Sequence, residues 1–168
     1  MIRFMFALFA AAGVLSAQTE NPLSAEAKQA YNNVKNNLLK AADKMPEDGY
    51  GFKATPDVRP FGQVIAHVAD AQTRNCSAAA GTPKTGDAAS KTAKSDLVAA
   101  LKDSFAICDA AFDALTDANA TETIKTGRGQ RTRLGLLTGN TTHDNEMYGT
   151  IAVYLRLKGI VPPSSDRR

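Results

Sequence analysis

The stretch RTRLGLLTGNTTHDNEMYGTIAVYLRLK, Arg131 to Lys158, decides the fold. It is the longest run with helical periodicity. Leu137, Thr141, Tyr148, Ile151 and Leu155 recur at three- and four-residue steps along one side. Leu136, Asn140, His143, Met147 and Tyr154 form a second side next to it. A helix with two such sides touches more than one neighbour, which puts it at the centre of a bundle. Asp144 falls inside the first, mostly apolar stripe, and a carboxylate there must be hydrogen-bonded or paired. Gly159 follows Arg156 and Lys158, and Pro162 and Pro163 forbid continuation, so the helix stops with cations at the negative end of its dipole.

Working outward, the chain offers three more helices. Ser24 reads as an N-cap for a first helix with Tyr31, Val34, Leu38, Ala41 and Met45 on its inner face, ended by Pro46. Asn32, Asn33, Asn36 and Asn37 make a solvated outer face. EDGYGFKATPDVRP, Glu47 to Pro60, is a connection that Tyr50 and Phe52 pin to the bundle. A second helix starts near Phe61, with Phe61, Val64, Ile65, Val68 and Gln72 inside and His67 at the edge. GTPKTGDAASKTAK, Gly81 to Lys94, reads as a mobile surface loop. Ser95 caps a third helix whose stripe is Leu97, Leu101, Phe105, Cys108, Phe112 and Leu115. Asp117 to Gln130 is a polar connection that turns at Gly127-Arg128-Gly129. The expected architecture is all-α, a four-helix bundle with no strand.

The 168-residue length suits one domain. Its first residues are set apart from that domain. Arg3, the apolar run Phe4–Leu15 and the small residues up to Ala17 form a signal peptide, residues 1–17, leaving a mature chain of residues 18–168 in the periplasm or secreted. No other stretch approaches membrane-spanning length. The net charge of +3, or +2 without Arg3, is near balance and argues neither for nucleic acid nor for acidic lipid as a partner, and none is expected.

Cys76 and Cys108 are the only cysteines, and in an exported chain an even count reads first as a disulfide. The alternative is two buried thiols. Each lies toward the end of its helix, so a simple antiparallel hairpin of helices two and three would hold them apart. A bridge needs an offset or a parallel arrangement.

His67 and His143 could share a divalent metal across facing helices. The position one turn after His143 holds Met147, a soft thioether that suits copper(I) and not zinc. Substitute ligands are Glu146, Asp144, Asp70 or water. The plainer alternative is an ordinary hydrogen bond for each histidine. Other chemistry is poorly supported. GRGQR at Gly127–Arg131 lacks the spacing of a phosphate loop, and G-x-S-x-G and C-x-x-C are absent. Arg128, Arg131 and Arg133 read as a solvated helix start, and Arg167 and Arg168 as a frayed tail.

FKATPDVRPFGQVIAHVADA (Phe52–Ala71) and THDNEMYGTIAVYLRLKGIVPPS (Thr142–Ser164) resemble the DinB/YfiT-like superfamily over essentially the whole mature chain. H-x-x-D on helix two and H-D-N-E-x-Y-G on helix four carry the likeness. The resemblance implies an up-down-down-up four-helix bundle, often a homodimer. It also implies zinc or nickel held by three histidines, one at His67 and two at His143 and the Met147 position. This sequence keeps two of those positions and departs at the third. Related enzymes are thiol-dependent transferases and isomerases in which the metal activates a thiolate or water.

Two functions follow. The favoured one is an exported DinB-like bundle with a degenerate metal site and no strong catalytic activity. The other is a divalent-metal-dependent hydrolase or thiol transferase using His67 and His143. The residues assign neither a catalytic group nor a small-molecule substrate.

Overall fold

The computed structural model describes residues 21–127 and 129–166. The expected signal peptide and its cleavage site, and Arg128, Arg167 and Arg168, lie outside the described residues. The helices are α1 (Pro22–Lys44), α2 (Phe61–Ala79), α3 (Lys94–Asp113) and α4 (Arg133–Leu157). A two-stranded hairpin, β1 (Thr123–Thr126) and β2 (Gly129–Thr132), precedes α4. The stripes read from the sequence form the core: Tyr31, Leu38, Phe61, Ile65, Leu101, Phe105, Leu137, Ile151 and Leu155 are all buried. No helix among the described residues is long and apolar enough to cross a membrane.

Side-chain pairing gives the helix directions. Ser104 Oγ donates to Gln72 Oε1 at 3.3 Å, and Cys108 is bonded to Cys76, so α2 and α3 run parallel. Lys94 Nζ donates to the Met45 carbonyl at 2.7 Å and Tyr31 OH to Asp109 at 2.7 Å, so α1 opposes α3. Tyr154 OH donates to the Arg59 carbonyl at 2.6 Å and Asn75 Nδ2 to Asn140 Oδ1 at 2.9 Å, so α4 opposes α2. The order is up-down-down-up.

A parallel pair needs a return path of about one helix length, roughly 28 Å for α2. The segment read as a mobile loop provides it, and it is pinned. Asp70 accepts from the amides of Ala88 (2.8 Å) and Ala89 (3.1 Å), and Ala88 is buried. The parallel register brings the cysteines together, with Cα atoms 4.9 Å apart across a sequence separation of 32. Closing a loop of that length stabilises the fold by about 3–4 kcal/mol in the chain-entropy model.

Three local expectations are corrected. The polar connection contains a hairpin whose residues are almost all exposed, so no alternation of apolar residues marks it. Arg131 therefore pairs with Ile124, and α4 starts two residues later than expected, capped by Thr132 Oγ1 accepting from the Gly135 amide at 3.0 Å. Ser95 lies inside α3, which starts at Lys94 without a side-chain cap. Ser24 lies inside α1 and is itself a donor: its amide (2.8 Å) and hydroxyl (2.7 Å) both reach Asp117 Oδ1. The Leu23 amide donates to Asp117 Oδ2 at 3.2 Å. Asp117 thus meets the free amides and positive dipole end of α1 from a distant part of the chain. The C-terminal stop of α4 is as read: Gly159 has φ +73°, and the Ile160 amide donates back to the Leu155 carbonyl at 2.9 Å.

The hydroxyl and amide of Ser24, with the Leu23 amide, hold the Asp117 carboxyl below its ordinary value of 3.8. A depressed carboxylate contributes stability above its unfolded pKa and loses it as pH falls through the folded value. Asp117→Asn should therefore be less stable than wild type in urea at about pH 7, with the gap closing as pH falls below about 4. A gap of unchanged size in acid would show that the charge is not what Asp117 contributes.

Candidate functional site

The antiparallel α2–α4 contact carries a chain of polar groups. His67 Nε2 and His143 Nε2 are 3.1 Å apart, with ring planes inclined at 66°. His143 Nδ1 lies 3.4 Å from Asp144 Oδ1. Asn140 Nδ2 donates to Asp144 Oδ2 at 3.2 Å, and Asn75 Nδ2 donates to Asn140 Oδ1. Spacing on α4 explains the arrangement. Asn140 and Asp144 are one turn apart on the inner side, and His143 is rotated toward the cleft.

Asp144 is fully buried. Burial pushes its carboxyl up to about 6, and the His143 contact pulls the other way. This satisfies the demand that the sequence placed on a carboxylate in an apolar stripe. With the carboxylate accepting at Nδ1, His143 presents the lone pair of Nε2 toward His67. Burial, then His143, Arg59 and Arg74, hold the His67 imidazole below its usual value.

Both imidazoles open onto a cleft of about 1070 Å³. It lies between α2, α4, the return segment and the hairpin, and Arg74, Lys84, Lys125 and Arg131 also line it. Met147, one turn beyond His143, is half-buried against the core and is not part of that lining. Asp70 is committed to the return segment, Glu146 is exposed, and Asp144 lies against Nδ1 of His143, on the opposite side of the ring from the cleft-facing Nε2. Sequence reasoning missed Asn75 and the cations of the cleft wall. Asn140 was visible as a polar residue in an otherwise core-facing row. Lys84 and Lys125 sit on segments that read as connections, and Arg74 and Arg131 read as exposed positions of separate helices, so nothing in their spacing showed that they converge.

The DinB superfamily model matches residues 30–151. The chain belongs to the DinB superfamily. No curated protein matches it in sequence. Two solved structures share the architecture. One is the DinB-like protein YjoA from Bacillus subtilis, with TM-score 0.65 and 19% identity over 80% of this chain and 92% of that one. The other is a DinB-like protein from Bacillus cereus, with TM-score 0.69 and 16% identity over 82% of this chain and 93% of that one. At these identities the likeness carries the fold and says nothing of activity.

For this DinB chain, the donor set decides what an ion would meet. Two imidazole nitrogens at 3.1 Å have the spacing of two ligands on one ion with bonds of about 2.0–2.1 Å. Among the described residues, no group of three or more His, Cys, Asp or Glu is placed to hold a metal. A thioether at the next turn does not replace the missing imidazole for zinc or nickel. The residues therefore do not fit the three-histidine centre that the family resemblance implies.

The polar chain is testable through stability. Asn140→Leu removes the amide that serves the buried Asp144 and should cost about 2–3 kcal/mol in urea unfolding, whereas Asn75→Leu, at the half-exposed end, should cost less than about 1 kcal/mol. Equal costs would mean that burial of Asp144 is not what the network supports.

Proposed function

We propose that this DinB-superfamily chain is an exported binding protein with a degenerate metal site and no strong catalytic activity. The observation that carries the reading is the donor set. His67 and His143 converge at 3.1 Å, and the family's third ligand position holds Met147. Two imidazoles bind zinc weakly without a third nitrogen, thiolate or carboxylate. The polar chain behind His143 fixes the imidazole without help from an ion, which suits a preformed binding site. Export rests on the basic, apolar and small-residue order of residues 1–17. The homodimer implied by the resemblance belongs to the same proposal.

A second reading has one specific observation in its favour. A carboxylate against the far nitrogen of a histidine is the usual support of a metal-bound imidazole, and Asp144 has that position behind His143. On that reading the chain is a divalent-metal-dependent hydrolase or thiol transferase using His67 and His143.

Zinc titration separates the two. Wild type should bind weakly, and Met147→His, which puts an imidazole at the third ligand position implied by the family resemblance, should tighten binding at least about tenfold if that side chain turns from the core toward the pair. Stoichiometric, tightly held zinc or nickel in the wild type, lost in His143→Ala, would establish the second reading instead. For export, mass spectrometry of the protein from its native envelope should find Gln18 at the N-terminus or within one residue of it. An intact Met1 on soluble protein would remove the signal peptide from the proposal.

A further inference from the structure

We propose that the cleft binds a small organic anion, with its carboxylate or phosphate oxygens held by Arg74, Lys84, Lys125 and Arg131 and its body lying beside the His67–His143 pair. The cleft lining contains those four cations and no carboxylate. The Lys and Arg ion pairs among the described residues use Lys28, Lys35, Lys44, Lys91 and Arg133, none of which lines the cleft. In a chain of net charge +3, this is an uncompensated concentration of positive charge around one concave surface. Low-dielectric walls focus such a field and favour an anion.

The cations come from separate elements. Arg74 is on α2, Lys84 is on the return segment, and Lys125 and Arg131 are on the two strands of the hairpin. They surround the space, whereas cations along one helix would only form a solvated face.

Arg131 is also held in place. Its Nη2 donates to the Gly135 carbonyl, and a Cβ added at Gly139 would stand 2.8 Å from the same nitrogen. Glycine at that position lets the guanidinium lie flat on the first turns of α4. Arginine's planar fork suits carboxylate and phosphate oxygens. The amides of Asn75 and Asn140 add polar groups to the same lining. A space of about 1070 Å³ is of the size that takes an organic molecule and far exceeds a bare inorganic ion.

The inference deepens the binding reading by naming a ligand class, and it rests on that reading. The two fail separately, because zinc titration of Met147→His tests the histidine centre and anion titration tests the cation wall.

The experiment is calorimetric titration of the mature, disulfide-bonded chain with citrate and with glycerol phosphate as probes. At least one probe should bind saturably at one site, weakening as salt is raised. The probe that binds tighter identifies the oxygen source as carboxylate or phosphate. Arg74→Gln combined with Lys84→Gln should weaken that probe about tenfold or more, and Lys40→Gln, an exposed cation away from the cleft, should leave it unchanged. Gly139→Ala keeps every charge but displaces the guanidinium, and should weaken binding about threefold or more. Absence of saturable binding by both probes overturns the proposal. So does an equal loss in Lys40→Gln, which would trace binding to net charge. Undiminished binding in Gly139→Ala removes Arg131 from the site.

Discussion

Helices adjacent in sequence can pack in parallel only if the chain between them travels back a full helix length, and most of this structure follows from that constraint on α2 and α3. The return segment is held by Asp70, which spends both carboxylate oxygens on the amides of Ala88 and Ala89. The parallel register then places Cys76 against Cys108 and closes the pair covalently. With α2 and α3 fixed together, α1 and α4 complete the bundle from the other side, both antiparallel to them. That geometry, and no local signal, sets His67 opposite His143.

Within the α2–α4 contact the central constraint is the burial of Asp144. A carboxylate removed from water must be given hydrogen bonds or protonated. Asn140 and His143 supply the partners from the same helix, and Asn75 extends the set across to α2. The consequence for the site is orientation. His143 cannot rotate freely without stripping Asp144 of a partner, so the position of Nε2 is fixed from behind. A site supported in this way keeps its shape whether or not anything occupies the cleft.

The legible parts of the fold were those written in periodicity. The inner faces of all four helices are buried where their three- and four-residue steps place them, and the charge of Asp144 announced its need for partners before any partner was known. The hairpin was illegible because Ile124 is the one apolar side chain in its two strands, which are too short to show alternation. The caps were misread because Ser24 and Ser95 have the right chemistry but the wrong position. The α1 terminus is served by Asp117, some ninety residues away, which no local pattern reports. The cysteines posed a geometric conflict that the parallel α2–α3 pair resolves. In the candidate site, both histidines were readable one by one. Their contact at 3.1 Å needed the family resemblance or the structure, since each is only an edge residue of its own helix.

The cleft wall and the histidine pair act on one another through the same field. His67 is held below its usual value by burial first, then by His143 and by the charges of Arg59 and Arg74. A proton is the simplest cation that an imidazole can bind, and the like charge of Arg59 and Arg74 that opposes it also opposes a metal dication, whose greater charge makes the repulsion larger. Arg74, the one cation of the cleft wall in that set, therefore opposes a cation at the histidine pair, in addition to the missing third imidazole. On the proposed reading, both features point in one direction, away from a tightly held dication and toward an anionic guest. An anion seated against Arg74 would offset that repulsion, so anion binding and any residual cation affinity of the histidines should be positively linked.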